Sequence, residues 1–222
     1  MIDSFKHQGL RKQLIDLLRR KGIRDERVLQ AMEAVPRHFF FESSFHSFAY
    51  DDKPFPIGAG QTISQPYTVA FQTELLDVQK GDKILEIGTG SGYQACILAK
   101  MGGRVYSIER IKSLYTRAKA FLPTIDCAHV KVFYGDGYKG LTAYAPFNKI
   151  LITAAAPYIP TALIDQLTIG GTMVVPLGSS DVQIMTRVIK TAEGLYRTED
   201  HGYFRFVPLL ENKEDDQGNL YH

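Results

Sequence analysis

Apolar and polar positions recur with helical spacing in the first third of the chain. Leucines fall on one face of a helix between residues 10 and 18, and Gly22 follows a basic triplet that suits a helix end. Asp25 is placed to cap a second helix, which must end near Pro36. The stretch at 50–60 is so rich in proline and glycine that it predicts a loop.

From residue 65 onward, short β-branched runs alternate with helical stretches. The predicted strands are 83–87, 104–108, 130–134, 150–153 and 173–175, and the predicted helices are 66–76, 91–101, 113–122 and 160–167. This alternation is typical of an α/β fold in which helices cover both faces of a parallel sheet. After Gly178 only strand patterns remain, at 182–189 and 203–207, and they predict antiparallel strands. The polar tail at 211–222 is expected to be frayed.

Composition and charge are those of an ordinary globular protein. The 222 residues include 26 Lys and Arg against 24 Asp and Glu, and a net charge of +2 gives no support to a nucleic-acid partner. No apolar run approaches the roughly 20 residues of a membrane span, and charges interrupt the start of the chain as no signal peptide would allow. We therefore expect a cytoplasmic protein without a membrane partner, and we expect it to be a monomer.

The cysteines and histidines indicate neither a disulfide framework nor a metal site. A secreted disulfide scaffold would need more cysteines than Cys96 and Cys127, so we predict two buried, small hydrophobic side chains in a reducing compartment. No histidine lies at zinc-ligand spacing from another histidine or a cysteine, so we expect no metal.

A glycine-rich turn joins the strand predicted at 83–87 to the helix that follows it. Its pattern is Gly88-x-Gly90-x-Gly92, which lets a ligand approach the backbone at a helix N-terminus. A dinucleotide fingerprint would need its third glycine one position later, where Tyr93 stands. This spacing weakens a nicotinamide or flavin interpretation, and a turn that is only a tight connection is the structural alternative.

Acidic residues follow the next two predicted strands. Glu109 closes the second strand and can accept hydrogen bonds from both hydroxyls of a ribose, while Asp136 and Gly137 could line an adenine pocket. Taken alone, Glu109 is more often a solvated strand end. Because successive parallel strands end at one edge of the sheet, where such sheets bind ligands, the three features together predict a nucleoside ligand.

Two sequence motifs carry a family resemblance. Residues 85–94, LEIGTGSGYQ, resemble motif I of S-adenosylmethionine-dependent methyltransferases, and the more specific stretch 56–67, PIGAGQTISQPY, resembles the signature of protein-L-isoaspartate O-methyltransferases. Further matches between residues 8 and 210 are AVPR at 34–37, VYSIER at 105–110, GDG at 135–137, TAAAP at 153–157, GG at 170–171, VVP at 174–176 and RFVPL at 205–209. Asn148-Lys149 departs from the family pattern, which usually has Asp after Phe147, and the tail after Leu210 matches nothing.

The resemblance implies a fold, a domain division and a set of site residues. The fold is a doubly wound, Rossmann-like methyltransferase sheet, mostly parallel with antiparallel C-terminal strands, plus an N-terminal helical extension. The division is 1–64 for the helical extension and cover loop, 65–210 for the S-adenosylmethionine-binding domain and 211–222 for the tail. The implied cofactor-binding residues are Gln61, Thr62, Ile63, Ser64, Glu86, Gly88, Gly90, Gly92, Glu109, Arg110, Asp136 and Gly137. The implied substrate-binding residues are Thr62, Ser64, Val207, Pro208 and Leu209, and Ser64 is the implied catalytic residue.

The implied reaction moves a methyl group from S-adenosylmethionine to the free α-carboxylate of L-isoaspartyl residues in age-damaged proteins and peptides, leaving S-adenosylhomocysteine. A carboxylate with a pKa of about 3.5–4 is already ionised and nucleophilic at neutral pH, so no general base is needed. The alternative for Ser64 is a cap of the helix that begins near Pro66. The alternatives for the chain are a methyltransferase with another carboxylate or small-molecule acceptor, a nicotinamide oxidoreductase, and a binding module without activity.

Overall fold

The computed structural model describes residues 2–215 and 217–221. Its helices are α1 (Phe5–Arg20), α2 (Glu26–Ala34), α3 (Pro66–Leu76), α4 (Tyr93–Lys100), α5 (Lys112–Phe121) and α6 (Thr161–Asp165). Its strands are β1 (Phe55–Gly58), β2 (Gln61–Ile63), β3 (Lys83–Ile87), β4 (Arg104–Glu109), β5 (Lys131–Tyr134), β6 (Phe147–Ile152), β7 (Leu167–Leu177), β8 (Gln183–Ala192), β9 (Leu195–Phe204), β10 (Lys213–Glu214) and β11 (Leu220–Tyr221). None of the described helices is long and apolar enough to cross a membrane.

The described strands form one large sheet and two small hairpins. The large sheet has seven strands in the order β5-β4-β3-β6-β7-β8-β9. Its pairs from β5 to β7 are parallel, and β8 and β9 join it antiparallel. The predicted α/β class, with a mostly parallel sheet and antiparallel C-terminal strands, is therefore confirmed. The strand order reverses beside β3, which makes the carboxyl end of β3 the switch point where such sheets bind ligands.

The parallel strands bring distant loops to one edge of the sheet. Strand β3 is buried on both faces after its first residue, as expected for an inner parallel strand. Ile87 pairs with Ile108, and Glu109 pairs with Tyr134, so β3, β4 and β5 end together. The turns that follow these three strands therefore meet at the same edge.

The two N-terminal helices pack into the core that α3 and α4 also share. Leu18 and Leu29, from α1 and α2, belong to the same buried apolar cluster as Val69 and Ile97, from α3 and α4. The Asp25 side chain accepts a hydrogen bond from the Arg27 N–H, which confirms the predicted cap of α2. The division of the chain into 1–64, 65–210 and 211–222 stays a prediction.

Three stretches differ from the sequence predictions. The predicted loop at 50–60 ends in a hairpin, in which β1 pairs with β2 around a tight turn with positive φ angles at Ala59 and Gly60. Strand β9 begins at Leu195, well before the strand predicted at 203–207. The prediction missed most of β9 because most of its side chains are exposed, so its sequence lacks the alternation of buried and exposed residues that indicates a strand. The tail is not frayed throughout, since β10 pairs with β11.

The cysteines are paired. The structure joins Cys96 to Cys127 in a disulfide, with their Cα atoms 5.9 Å apart. Both residues are buried, as predicted, but the interpretation of them as two separate hydrophobic side chains is wrong. Their separation of 31 residues hid the contact, because it arises only when α4 packs beside the segment after α5.

The departure at Asn148 has a local structural role. The Asn148 Oδ1 accepts a hydrogen bond from the Lys83 backbone N–H at 2.9 Å, at the beginning of β3. An aspartate carboxylate would offer the same kind of acceptor, so this contact does not require the usual residue.

Candidate active site

A cavity of about 950 Å³ lies at the carboxyl edge of the sheet. Most of the predicted site residues line it: Gln61, Thr62, Ile63, Ser64, Gly88, Gly90, Glu109, Arg110, Gly137, Val207, Pro208 and Leu209. The structure thus brings together the β1–β2 hairpin, the glycine turn, the end of β4 and the segment after β9. A cavity of this size accommodates a nucleoside-containing ligand together with part of a second molecule.

The glycine turn adopts a backbone that other residues rarely enter. The φ angles are +96° at Gly88, +53° at Gly90 and +87° at Gly92. A Cβ atom on Gly88 would lie 2.5 Å from the Thr153 Oγ1. That hydroxyl cannot easily move aside, because it lies within hydrogen-bond distance of the carbonyl oxygens of both Ile87 and Gly88. A side chain that follows β6 therefore holds the turn from the neighbouring strand.

We expect Gly88→Ala to impair both folding and ligand binding. Gly81→Ala is a matched control, because Gly81 has a similar φ of +89° but nothing within 4 Å of its added Cβ. The backbone strain of about 1–3 kcal/mol is common to both variants, and only Gly88→Ala adds the clash with Thr153. Thermal unfolding should show a larger loss of stability for Gly88→Ala than for Gly81→Ala. Calorimetric titration with S-adenosylhomocysteine should show a loss of affinity for Gly88→Ala and none for Gly81→Ala. Equal effects of the two substitutions would contradict this account.

Glu109 is a buried carboxylate with part of its hydrogen-bonding capacity already used. It is 4% exposed and accepts hydrogen bonds from the backbone N–H groups of Gly90 at 2.8 Å and Ile111 at 2.9 Å. Burial raises the pKa of Glu109 above its ordinary value, against the opposing effect of those N–H donors. A carboxylate has about four acceptor sites, so Glu109 retains acceptor capacity for a ligand in the cavity.

Glu86 lies behind the glycine turn and does not line the cavity. It is fully buried, its Oε2 accepts a hydrogen bond from the Ser107 hydroxyl, and Ser107 lies 2.6 Å from the Thr89 hydroxyl. The other oxygen, Oε1, has no hydrogen-bond partner among the described residues. Through Ser107, Glu86 supports Thr89, which does line the cavity, and the predicted contact of Glu86 with the ligand's amino group stays a prediction.

We expect Glu86 to make stability depend on pH. Burial raises the pKa of Glu86 to about 8 from an ordinary value of 4.5. Between these values the folded protein holds a proton that the unfolded chain releases, so the free energy of unfolding should fall as pH rises towards about 8. Glu86→Gln keeps the acceptor for Ser107 and cannot ionise, so it should reduce that fall by at least about 1 kcal/mol. Urea unfolding of both proteins across this range tests the prediction, and parallel curves would contradict it.

Gly92 and Asp136 also lie behind the residues that line the cavity, and their predicted contact with the ligand stays a prediction. A Cβ on Gly92 would lie 2.8 Å from the Leu122 side chain, so this glycine permits close packing behind the turn. Asp136 accepts hydrogen bonds from the backbone N–H of Tyr138 at 2.9 Å and of Asn212 at 3.0 Å. Both residues shape the backbone around the cavity.

Ser64 lines the cavity and does not cap a helix. The N–H of Tyr67, near the beginning of α3, donates to the Asp52 carboxylate at 2.8 Å, and no side-chain cap comes from the residue before Pro66. The Ser64 carbonyl accepts a hydrogen bond from the Arg37 guanidinium at 2.8 Å. The helix-cap alternative for Ser64 is therefore wrong, and its backbone is fixed beside the cavity.

Arg37 and Asp52 are supporting residues that the sequence analysis missed. Arg37 is 1% exposed, and its guanidinium carbon lies 4.7 Å from the centre of the Tyr93 ring. The AVPR match contained Arg37 but gave it no role. Asp52 lies 15 residues before Tyr67, whose N–H donates to it, so the local spacing of residues around the helix could not indicate this contact.

The segment at 207–209 already uses part of its backbone. Ala155 donates to the Val207 carbonyl and accepts from the Leu209 N–H, both at 2.8 Å. Pro208 lies between them and has no N–H. Fewer backbone groups of this segment are thus free for a peptide than an unpaired strand would offer.

A cluster of His and Asp side chains lies away from the cavity. Ligand-type atoms of Asp3, His7 and His38 lie within 4.8 Å of one another. Each already has a partner, because Asp3 forms two hydrogen bonds with Arg11, His38 contacts the Tyr50 hydroxyl at 2.8 Å, and His7 contacts Ser4. The cluster ties the beginning of α1 to the segment that precedes β1.

Comparison with known proteins gives consistent matches over nearly the whole chain. The sequence model of the family described as protein-L-isoaspartate(D-aspartate) O-methyltransferase matches residues 9–214. A protein from Flavobacterium johnsoniae named protein-L-isoaspartate O-methyltransferase is 55% identical over 213 residues, which are 96% of this chain and 100% of that protein. A solved structure of that same name is 27% identical with a TM-score of 0.81, and covers 89% of this chain and 65% of its own. A Plasmodium falciparum chain crystallised with S-adenosyl-L-homocysteine is 24% identical with a TM-score of 0.79, and covers 90% of this chain and 98% of its own.

Proposed function

The chain belongs to the protein-L-isoaspartate(D-aspartate) O-methyltransferase family, and we propose that it transfers a methyl group from S-adenosylmethionine to the α-carboxylate of an L-isoaspartyl residue. The observation that carries this proposal is a single cavity lined by the glycine turn, the buried Glu109 carboxylate and Ser64. The turn and Glu109 suit a nucleoside, and the Ser64 hydroxyl suits a carboxylate acceptor.

The residues of the cavity fit S-adenosylmethionine. Gly88 and Gly90 line the cavity and have no side chains, so a ligand can approach the backbone of the turn closely. Glu109 retains acceptor capacity for ribose hydroxyls. The residues that would hold the cofactor are Gln61, Thr62, Ile63, Ser64, Gly88, Gly90, Glu109, Arg110 and Gly137, with Glu86, Gly92 and Asp136 supporting them from outside the cavity. When bound, S-adenosylmethionine supplies a methyl group on a positively charged sulfur.

The chain's own contribution to the reaction is positioning. The isoaspartyl α-carboxylate is ionised at neutral pH and needs no base to become a nucleophile. Holding it in line with the methyl group can contribute up to about 7–11 kcal/mol to lowering the barrier. The Ser64 hydroxyl donates one hydrogen bond to a carboxylate oxygen and orients it. A neutral donor does this without the strong charge attraction by which an Arg or Lys would make the oxygen less reactive.

The acceptor binds beside the hairpin and the segment at 207–209. Thr62 and Ser64 contact the altered residue, and Val207, Pro208 and Leu209 contact the peptide next to it. Because Ala155 already pairs with this segment, side-chain surface and the remaining carbonyl groups carry more of the contact than a new strand pairing would. Such contacts tolerate many peptide sequences, as a substrate defined by damage requires.

The proposal is tested by following the acceptor through mass spectrometry. An isoaspartyl peptide incubated with the protein and S-adenosylmethionine should gain one methyl group, with one S-adenosylhomocysteine formed for each. The ester should then lose methanol as the following backbone nitrogen attacks it. Binding of S-adenosylhomocysteine without any methylated peptide would contradict the acceptor and indicate a methyltransferase of another substrate or a binding module.

The monomeric state, the cytoplasmic location and the lack of a nucleic-acid partner stay predictions from the sequence. Isoaspartyl proteins and peptides are the substrates that family membership supports.

A further inference from the structure

A short part of the tail packs across two of the turns that form the cavity. We call residues 212–214 the clasp. The Arg110 side chain donates from Nε to the Asn212 carbonyl at 3.0 Å and from Nη1 to the Glu214 carboxylate at 2.8 Å. The Glu214 N–H donates to the Arg110 carbonyl at 2.8 Å, so side chain and backbone of Arg110 are both held.

The clasp also binds the turn after β5. The Asn212 N–H donates to the Asp136 carboxylate at 3.0 Å, and the Tyr134 hydroxyl donates to the Glu214 carbonyl at 3.0 Å. Arg110 and Gly137, which lines the cavity directly after Asp136, are thereby connected through one segment. The clasp joins the ends of β4 and β5, the two strands that follow the glycine turn along the chain.

The Arg110–Glu214 ion pair is partly shielded from water, which strengthens the attraction between the two charges. The Arg110 side chain is 14% exposed and the Glu214 side chain 30% exposed, so water screens the pair less than it screens a fully exposed one. Nε and Nη1 of the planar guanidinium are both committed to the clasp, which fixes the plane of the group. Arg110 is also one of the residues that line the cavity.

We propose that Glu214 is a positioning residue for cofactor binding, holding Arg110 and the turn at 136–137 in the arrangement that receives the adenosine part of S-adenosylmethionine. This inference rests on the proposed function for the identity of the ligand. Among the described residues, the hydrogen bonds of the clasp reach neither Ser64 nor Pro208. The clasp therefore acts on cofactor affinity and leaves the handling of the acceptor unchanged.

The test compares Glu214→Gln with Glu211→Gln in the full chain. Both variants remove one negative charge from the same tail, but the Glu211 carboxylate takes no part in the contacts with Arg110. We expect Glu214→Gln to raise the Kd for S-adenosylhomocysteine about three- to tenfold by calorimetry, and Glu211→Gln to change it less than about twofold. Equal effects of the two variants, or no effect of either, would overturn the proposal.

A double-mutant cycle shows whether Glu214 acts through Arg110. In an Arg110→Ala background, Glu214→Gln should have less than about a third of its effect on Kd, because the group that it positions is gone. If Glu214→Gln raises the Kd by the same factor in that background as in the unaltered protein, the positioning role is overturned. Turnover of an isoaspartyl peptide should show a raised KM for S-adenosylmethionine with an unchanged KM for peptide, and an equal rise in both would also overturn it.

Failure of the proposed function is distinguishable from failure of this inference. If S-adenosylhomocysteine binds, the variants differ as expected and no isoaspartyl peptide is methylated, the clasp stands and the acceptor assignment falls. If the unaltered protein does not bind S-adenosylhomocysteine, both the cofactor assignment and the role of Glu214 are overturned.

Discussion

Replacing Ser64 by alanine is expected to lower turnover of an isoaspartyl peptide about 10²-fold, while the affinity for S-adenosylhomocysteine changes less than about twofold. The expectation follows from where the structure places the residue. Asp52 accepts the N–H near the beginning of α3, so the Ser64 hydroxyl has no helix-capping duty, and Arg37 holds the Ser64 backbone beside the cavity. Removing the hydroxyl therefore removes a donor to the acceptor without disturbing the fold.

Ser64→Thr is the matched variant, because it retains a hydroxyl at the same position. It should keep much more activity than Ser64→Ala, and the melting temperatures of both should stay close to that of the unaltered protein. Steady-state kinetics with S-adenosylmethionine and peptide varied separately measure the effect. Turnover of Ser64→Ala equal to that of the unaltered protein would remove Ser64 from the reaction.

Replacing Glu109 by alanine is expected to raise the Kd for S-adenosylhomocysteine at least about tenfold. Two hydrogen bonds from ribose hydroxyls to a buried carboxylate would be lost, and charged acceptors form the stronger class of hydrogen bond. The substitution also leaves the N–H groups of Gly90 and Ile111 without their acceptor, so stability should fall as well. Affinity must therefore be compared at a temperature where both proteins are folded.

A ligand that lacks one ribose hydroxyl separates the contact of Glu109 with the ribose from the loss of stability that Glu109→Ala causes. The unaltered protein should bind S-adenosylhomocysteine several times more tightly than its 2′-deoxy analogue, and Glu109→Ala should bind the two almost equally. Calorimetry with both ligands measures this difference. Discrimination that survives in Glu109→Ala would show that Glu109 does not contact the ribose.

The parts of the site that the sequence predicted depend on local patterns. The strand at 83–87, the glycine turn and the acidic residue that closes β4 follow one another at short intervals, and parallel pairing necessarily brings their ends together. The helix from Pro66 to Leu76 was likewise predictable, because proline is favoured in a first turn. The β1–β2 hairpin was missed because prolines and glycines, which usually mark loops, form its turn and part of its strands.

The parts that the sequence did not predict depend on contacts between distant segments. Asp52 reaches α3, the clasp reaches Arg110 from about a hundred positions further along the chain, and Cys96 meets Cys127 only after α4 and α5 have packed. The placement of Glu86 behind the turn was similarly hidden, because a strand pattern does not tell whether its last polar side chain faces a ligand or a neighbouring strand. Burial and hydrogen-bond partners decide such cases, and only the folded chain supplies them.

The most direct measurement is labelled-methyl transfer from S-adenosylmethionine to two peptides that differ only in one residue, L-isoaspartate in one and normal aspartate in the other. We predict base-labile label on the isoaspartyl peptide alone, because only the isoaspartyl residue presents a free α-carboxylate at the altered position. Equal label on both peptides, or none on either while S-adenosylhomocysteine still binds, would contradict it.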